Sequence, residues 1–327
     1  MSIKIIKPGV LSTLQEGGRK GFRSTGIGPG GAMDLFAMTV SNFLVGNDGT
    51  AATLEINFPA PEILFQQNAI IALTGADLSA SVNNEPLPLW RPFFVKKDSL
   101  LKFKEPVHGA KVYLAVQGGW KSDKWLGSYS THLKVAAGGH LGRALLKDDE
   151  ILFNENNFSL TGDKVLNWQL SYKQTDQVYQ PPDHIRCVKS IEWELLDKTS
   201  QQNFEEQAFE ISNQSDRMGY RLNGAPLSLQ QPAELISSAV DAGTIQLLPD
   251  GNLIVLMADH QTTGGYPRIA SVIKADLPKL AQLRPGQPIN FKTVTVKEAE
   301  DVLISMMQLL TEIKAGCHLN FEKYFQA

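Results

Sequence analysis

The segment Asp259-His-Gln-Thr-Thr-Gly-Gly-Tyr266 packs a carboxylate, an imidazole, an amide, two hydroxyls, two glycines and a phenol into eight positions. Two residues, Met257 and Ala258, separate it from the apolar run Leu253-Ile-Val-Leu256, which reads as a buried strand. A loop that only reversed the chain would need two or three such residues. Donors and acceptors at this density, on a backbone that glycine lets approach a ligand closely, suit the grip of a small polar molecule and the stabilisation of an oxyanion. Similar glycine-studded turns recur at Gly30-Gly-Ala-Met-Asp34, Thr74-Gly-Ala-Asp77, Gly127-Ser-Tyr-Ser-Thr131, Gly138-Gly-His-Leu-Gly-Arg143 and Ser215-Asp-Arg-Met-Gly-Tyr-Arg221. Their N–H groups can form anion nests, and their arginines carry a planar fork suited to carboxylate, phosphate or ureido oxygens.

Other chemistries lack their signatures. Gly26-Ile-Gly-Pro-Gly-Gly31 has GxGxxG spacing, but the residues before it, Gly17-Gly-Arg-Lys-Gly-Phe-Arg-Ser-Thr25, are not an apolar strand, so a dinucleotide fold is not expected. There is no Walker loop and no GxSxG elbow. His108, His132, His140, His184, His260 and His318 show no HxH, HxxxH or HExxH spacing, and Cys187 and Cys317 lie far apart. Neither a metal site nor a thiol nucleophile is expected. The composition is that of an ordinary globular chain, with 43% hydrophobic and 20% charged residues. A net charge of −3 offers no electrostatic case for nucleic acid or an anionic membrane. The start of the chain lacks an apolar signal region and no apolar window is long enough to span a bilayer, so a cytoplasmic protein with reduced thiols is expected.

The elements that must position these turns are mostly strands. Ala69-Ile-Ile-Ala-Leu73, Lys111-Val-Tyr-Leu-Ala-Val116, Thr244-Ile-Gln-Leu-Leu248 and Leu253-Ile-Val-Leu256 are short apolar runs bounded by turn residues. Helical periodicity marks three segments: one capped by Asp34 and running to Val45, a short one over Asp276–Leu283, and Lys297–Ala315, stopping at Gly316. Few helices among many strands argue for closed or sandwiched sheet. The polar stretch Asn154–Asp183 reads as a linker, which gives an N-terminal domain 1–182, a second domain 183–296 and a helical extension 297–327. A shift of 182 positions lays Ile63–Asp77 over Ile245–Asp259 without a gap, an echo that suggests two related halves.

Taken together, Gly31-Ala-Met-Asp34, Asn42-Phe-Leu-Val-Gly-Asn47, Leu73-Thr-Gly-Ala-Asp77, Ser215-Asp-Arg-Met-Gly-Tyr-Arg-Leu222 and Ala258-Asp-His-Gln-Thr-Thr-Gly-Gly-Tyr-Pro267 carry a resemblance. The chain resembles the biotin-dependent carboxyltransferase family that includes the C component of 5-oxoprolinase, allophanate hydrolase subunit 2 and the Kip-inhibitor antagonist. The resemblance implies a mainly β fold of two cyclophilin-like β-barrels with a few helices. It implies an ATP-dependent 5-oxoprolinase, a lactam hydrolase active in a complex with a Kip-inhibitor-like protein (its B component) and a LamB/YcsF-like protein (its A component), with ATP and Mg²⁺ shared among the three. Two other readings remain: a carboxyltransferase acting on urea-like amides with biotin on a separate carrier, and a regulator that binds a Kip-inhibitor-like protein without catalysis. The family usually has arginine at positions 129 and 260, where this chain has Tyr129 and His260.

On that reading Arg143, Arg217 and Arg221 are candidates for positive charge around a transferring group. Asp34, Asp77 and Asp259 are candidates to bind a substrate N–H or a Mg²⁺ ion. Gln261, Thr262, Thr263, Gly264 and Gly265 would supply oxyanion donors, with Tyr266 excluding water and Ser130 and Thr131 adding hydroxyls. The catalytic set expected is Asp259, Gln261, Arg217 and Arg143, with the strand Leu253–Leu256 delivering its loop to a barrel mouth.

Overall fold

The computed structural model describes residues 1–154, 168–179, 184–233 and 235–325. The expected domain boundary at 182/183 lies outside the described residues. The chain divides into two compact units: Met1–Arg19, Asp34–Thr175 and Gln308–Ala327 make the first, Lys20–Met33 and Asp176–Met307 the second.

The first unit holds two antiparallel sheets. One runs Glu150–Leu152, Ser2–Lys7, Glu62–Phe65, Leu100–Phe103, Ala80–Val82, Glu85–Pro86 from edge to edge. The other runs Ser12–Gln15, Thr53–Asn57, His108–Val116, Ala69–Asp77, Pro92–Val95. Period-two alternation sends Ile3, Ile5, Ile63 and Phe65 from one and Leu14, Ile56, Leu73 and Leu114 from the other into a common core. The strand Ala69–Asp77 is apolar on both faces because its other face is covered by the helix Leu35–Leu44. Asp34 caps that helix as expected, accepting the Ala37 N–H at 2.9 Å. The Asp34 N–H donates to the Tyr113 hydroxyl at 2.7 Å, which donates in turn to Glu55 at 2.8 Å. Burial, with Glu55 next, pushes the Tyr113 hydroxyl well above its ordinary pKa.

The second unit is built on one eight-stranded sheet: Pro288–Ile289, Phe209–Ile211, Gly219–Asn223, Leu253–Leu256, Thr244–Leu247, Arg268–Val272, Ile185–Lys189, Phe291–Thr293. Its two edge strands are separated in sequence by Asn290 alone, so the sheet must curl until its edges meet. The chain is thus mainly β with barrel-like sheet, as expected. Aromatic packing fills the inside, with Phe204 stacked on Phe291 at 4.9 Å and met edge-on by Trp193 at 5.3 Å.

The echo between halves is not matched by pairing. Glu62–Phe65 and Ala69–Asp77 belong to different sheets, whereas their aligned counterparts Thr244–Leu247 and Leu253–Leu256 hydrogen-bond to each other. Helices also exceed expectation. Lys198–Glu206, capped by Asp197, buries only Ser200 and Phe204 and so leaves no apolar stripe to read. Tyr172–Tyr179 forms a helix inside the supposed linker. The C-terminal helix spans Val296–Phe325 and does not stop at Gly316. Thr295 and Glu298 form a capping box at its start. Its later part buries Leu309, Ile313 and Cys317, and Phe321 fills the space where Gly46 has no side chain, packing that outweighs the ~1 kcal/mol cost of an internal glycine. No helix among the described residues is long and apolar enough to cross a membrane.

Candidate functional site

In the first unit the turn Gly127–Thr131 closes on the strand Ser12–Gln15. The Ser128 hydroxyl donates to Glu16. The Ser130 hydroxyl accepts the Glu16 N–H at 2.9 Å and donates to the same carboxylate at 3.2 Å. Thr131 donates to the Leu14 carbonyl at 3.0 Å. Buried Arg19 reaches the Ser130 carbonyl and lies over the Trp125 ring at 4.8 Å. Gly139 and Gly142 adopt left-handed φ. A Cβ on Gly139 would lie 2.0 Å from Thr131 Oγ1, and one on Gly142 would lie 2.0 Å from the Ala136 carbonyl carbon. Ser130 and Thr131 are therefore buried and bonded within the fold.

The remaining first-unit candidates are also engaged. Arg143 forks onto Asp149 with bonds of 2.6 and 2.8 Å, and that contact holds the Asp149 carboxyl below the usual range. Asp34 is fully buried under its helix. Asp77 accepts the Ser79 N–H at 2.8 Å and lies on the wall of a cleft of about 900 Å³, with Trp90, Lys102, Phe103, His108 and Tyr172.

In the second unit strand alternation makes an outward-facing row. Tyr220, Leu222, Leu253, Val255, Ile245 and Leu247 point into the core. The residues between them, Arg221, Ile254 and Gln246, are direct neighbours across three strands, since Ile254 pairs with Arg221 on one side and Gln246 on the other. Gln246 is nevertheless only 1% exposed. The loop after Leu256 covers it: Thr263–Gly264 pairs with Ser238–Ala239, and the Leu247 N–H donates to the Pro267 carbonyl at 2.9 Å. A Cβ on Gly264 would lie 2.5 Å from Gln246 Nε2, so this close approach requires glycine. The loop thus lies against the outer face of the sheet at Gln246, not at a barrel mouth.

Between loop and row is a pocket of about 630 Å³, lined by Arg221, Gln246, Ile254, Gln261 and Tyr266, with Asp216 and Asp250 also on its wall. Gln246 Nε2 is buried under Gly264 with no hydrogen-bond partner among the described residues. The Arg221 guanidinium is exposed and makes no ion pair among them. Asp216 accepts the Met218 and Gly219 N–H groups at 2.8 and 3.2 Å, and Asp250 accepts from Asn252 at 2.9 and 3.0 Å. The Asn252 side chain and then its N–H hold the Asp250 carboxyl low.

The loop's entrance is braced by a closed ion pair. Arg217, 6% exposed, grips Asp259 at 2.8 and 3.0 Å and the Gly31 carbonyl at 2.6 Å. His260 Nδ1 lies 2.5 Å from the Gln261 carbonyl oxygen and therefore carries the proton it donates there. Its Nε2 faces Asp241 at 3.8 Å and has no hydrogen-bond partner among the described residues. Burial lowers the His260 pKa, outweighing the upward pull of the Gln261 carbonyl and Asp241.

The structure thus gathers Arg221, Gln261 and Tyr266 at one pocket, with Gly264 beside them against Gln246; Thr263 is exposed, Thr262 and Gly265 half-buried. Arg217 and Asp259 pair with each other. Gln246 and Asp250 were not anticipated. The signal for Gln246 was present, a lone amide on the face opposite Ile245 and Leu247 in Thr244-Ile-Gln-Leu247. Both thiols are buried, which pushes Cys187 and Cys317 up to about 12. Among the described residues no three acids, histidines or cysteines gather in a group fit for a metal ion.

The family model "Carboxyltransferase domain, subdomain A and B" matches residues 25–293. The chain is 40% identical over 301 residues to the C component of 5-oxoprolinase from Escherichia coli, across 91% of this chain and 93% of that one. It is 27% identical over 326 residues to urea amidolyase of Saccharomyces cerevisiae, across 94% of this chain and 18% of that one. The crystal structure of the K. lactis urea amidolyase shares the fold, with a TM-score of 0.87 at 24% identity over 95% of this chain and 20% of that one.

Proposed function

The chain belongs to the carboxyltransferase domain family, and on that premise we propose that it is the C component of an ATP-dependent 5-oxoprolinase. In this reading it acts with a Kip-inhibitor-like protein and a LamB/YcsF-like protein to convert 5-oxoproline to glutamate, a complex in keeping with the naming of its E. coli relative as one component of several. The observation that carries the reading is the convergence of Arg221, Gln261 and Tyr266 on one second-unit pocket. Opening the lactam breaks the C–N bond, puts a water oxygen on the carbonyl carbon and returns a proton to nitrogen. Charge develops on the carbonyl oxygen meanwhile. The Gln261 amide is the donor assigned to that oxygen, and Tyr266 limits water. Arg217 and Asp259 act as positioning residues that hold the loop's entrance.

This reading implies ATP and Mg²⁺. The residues here do not fit a triphosphate by themselves: Arg143 and Arg217 are already neutralised by Asp149 and Asp259, and Arg221 alone offers an unpaired fork at the pocket. The nucleotide is accordingly assigned to surfaces that the partner proteins provide or complete, and no phosphoryl step is routed through this chain. The test is reconstitution with both partners, 5-oxoproline and Mg-ATP. Glutamate and ADP that form only when this chain is present support the reading. An assembled complex that forms neither product overturns it.

The urea amidolyase relative favours a second reading, carboxyl transfer to a urea-like amide from biotin on another protein. Transfer from a carboxylated biotin carrier, with no glutamate formed, would move the conclusion there.

A further inference from the structure

At one end of the first unit, strands of both sheets stop around the cleft of about 900 Å³. Asp77 closes the strand Ala69–Asp77 and His108 opens its neighbour His108–Val116, while Lys102 and Phe103 end Leu100–Phe103. Trp90 forms part of the wall, and Tyr172 joins it from the helix Tyr172–Tyr179. Concave mouths left by strand ends are common ligand sites in β folds.

The aromatic groups suit an apolar body. Trp90 has a φ of 58°, a conformation that bulky residues rarely adopt and that costs of order 1–3 kcal/mol. Two backbone bonds hold it there: its N–H donates to the Leu73 carbonyl at 2.8 Å, and its carbonyl accepts the Leu170 N–H at 2.9 Å. Trp90 and Phe103 stay half-buried at the cleft, and Tyr172 is 75% exposed. Open aromatic surface in a concave site gains by covering an apolar ligand.

The cations supply the other half. Lys102 and Lys104 meet acids only at the limit of an ion pair, Glu62 at 3.8 Å and Glu105 at 3.9 Å. His108 is exposed, and its side chain has no partner among the described residues. It stands in register with Asp77 on the neighbouring strand, so the two side chains share a face. Set against the two lysines, Asp77 leaves the cleft one net positive charge with His108 neutral.

From this pairing of charge with aromatic surface we infer that the first unit carries a second small-molecule site, for a monocarboxylate with an apolar or aromatic body. Lys102 and Lys104 take the carboxylate, the body lies against Trp90 and Phe103, and Tyr172 covers it. A phosphate dianion would exceed the single net charge, and a neutral molecule would forgo the lysines. Occupancy would also bridge the helix Tyr172–Tyr179 to the strand ends, since Tyr172 and Thr175 both line the cleft. The site does not depend on the oxoprolinase reading, because none of its residues lines the second-unit pocket.

The test is calorimetric titration of the full chain with four probes: 3-phenylpropionate, its neutral analogue 3-phenylpropionamide, propionate, which lacks the ring, and phenyl phosphate, a dianion. The first is expected to bind at least about tenfold more tightly than the others. Lys102→Gln combined with Lys104→Gln should weaken 3-phenylpropionate about tenfold and leave 3-phenylpropionamide unchanged. Tyr172→Ala should weaken both of these ring-bearing probes about fivefold. Lys104 and Tyr172 are well exposed, so misfolding does not mimic these losses. Arg221→Gln, in the second-unit pocket, should change none of the affinities. No saturable binding of 3-phenylpropionate, phenyl phosphate or the neutral amide binding as tightly, or a loss with Arg221→Gln in place of the lysine variants would overturn the inference.

Discussion

The turn Gly127–Thr131 and the loop Asp259–Tyr266 are written in nearly the same alphabet of glycine, hydroxyls and a tyrosine, yet they fold to opposite ends. In the first, Ser128, Ser130 and Thr131 are buried and bonded to Glu16 and Leu14, and close-packed glycines seal the knot. In the second, Gln261, Thr263 and Tyr266 are exposed, and the glycine Gly264 admits a buried amide beside a pocket. Residue type does not separate a structural knot from a ligand grip. What separates them is whether the polar atoms already have partners.

Their arginines differ in the same sense and give the largest expected contrast. Arg217→Ala removes a buried guanidinium that holds both Asp259 and the Gly31 carbonyl and should cost about 3–5 kcal/mol, against about 1–2 kcal/mol for Arg143→Ala, where the guanidinium is half-buried and Asp149 keeps the Leu146 N–H. Denaturant midpoints of the two variants check this, and equal losses would break the comparison. Glycines come next. Gly142→Ala drives a Cβ into the Ala136 backbone at positive φ and should cost roughly 3 kcal/mol, whereas Gly265→Ala, whose Cβ would lie 3.2 Å from Ser237 Oγ, should stay under about 1 kcal/mol. Thermal unfolding of the pair decides it.

The hydroxyls sharpen the contrast at lower amplitude. Ser128→Ala should lose about 1–2 kcal/mol by stripping Glu16 of a donor, while Gln261→Ala on the exposed loop should stay within about 0.5 kcal/mol. His260 gives the smallest effect. Its folded pKa lies below the free value near 6.5, so the unfolded chain binds the proton more readily. The associated stability is complete above about pH 6.5 and declines as pH falls towards the lowered folded value. His140 and His184 are also lowered by burial and act with the same sign. His260→Gln should therefore flatten, not abolish, the fall in melting temperature between pH 7 and 5, removing at most about 1.4 kcal/mol per pH unit.

The mainly β class, the Asp34 cap and the strand Leu253–Leu256 were legible because each depends on local pattern. So was the polar loop behind that strand. The helix Lys198–Glu206 was not, because its burial rests on two residues and its cap carries most of the signal. The continuation past Gly316 was hidden because Phe321 finds its partner, Gly46, far away in sequence. Pairing of Arg143 with Asp149 and Arg217 with Asp259 was equally out of reach, since a sequence displays charges without their partners. Gln246 needed the register of three strands before its position under the loop had meaning.

The central claim is that the open loop of the second unit, and not the closed knot of the first, grips the substrate. Glutamate release by the reconstituted complex, measured side by side with Gln261→Ala and Ser128→Ala chains at a temperature where both are folded, tests it most directly. The account predicts a fall of at least about tenfold for Gln261→Ala, the scale of one lost oxyanion donor, and a change within about twofold for Ser128→Ala. Turnover that survives Gln261→Ala and collapses with Ser128→Ala would contradict it.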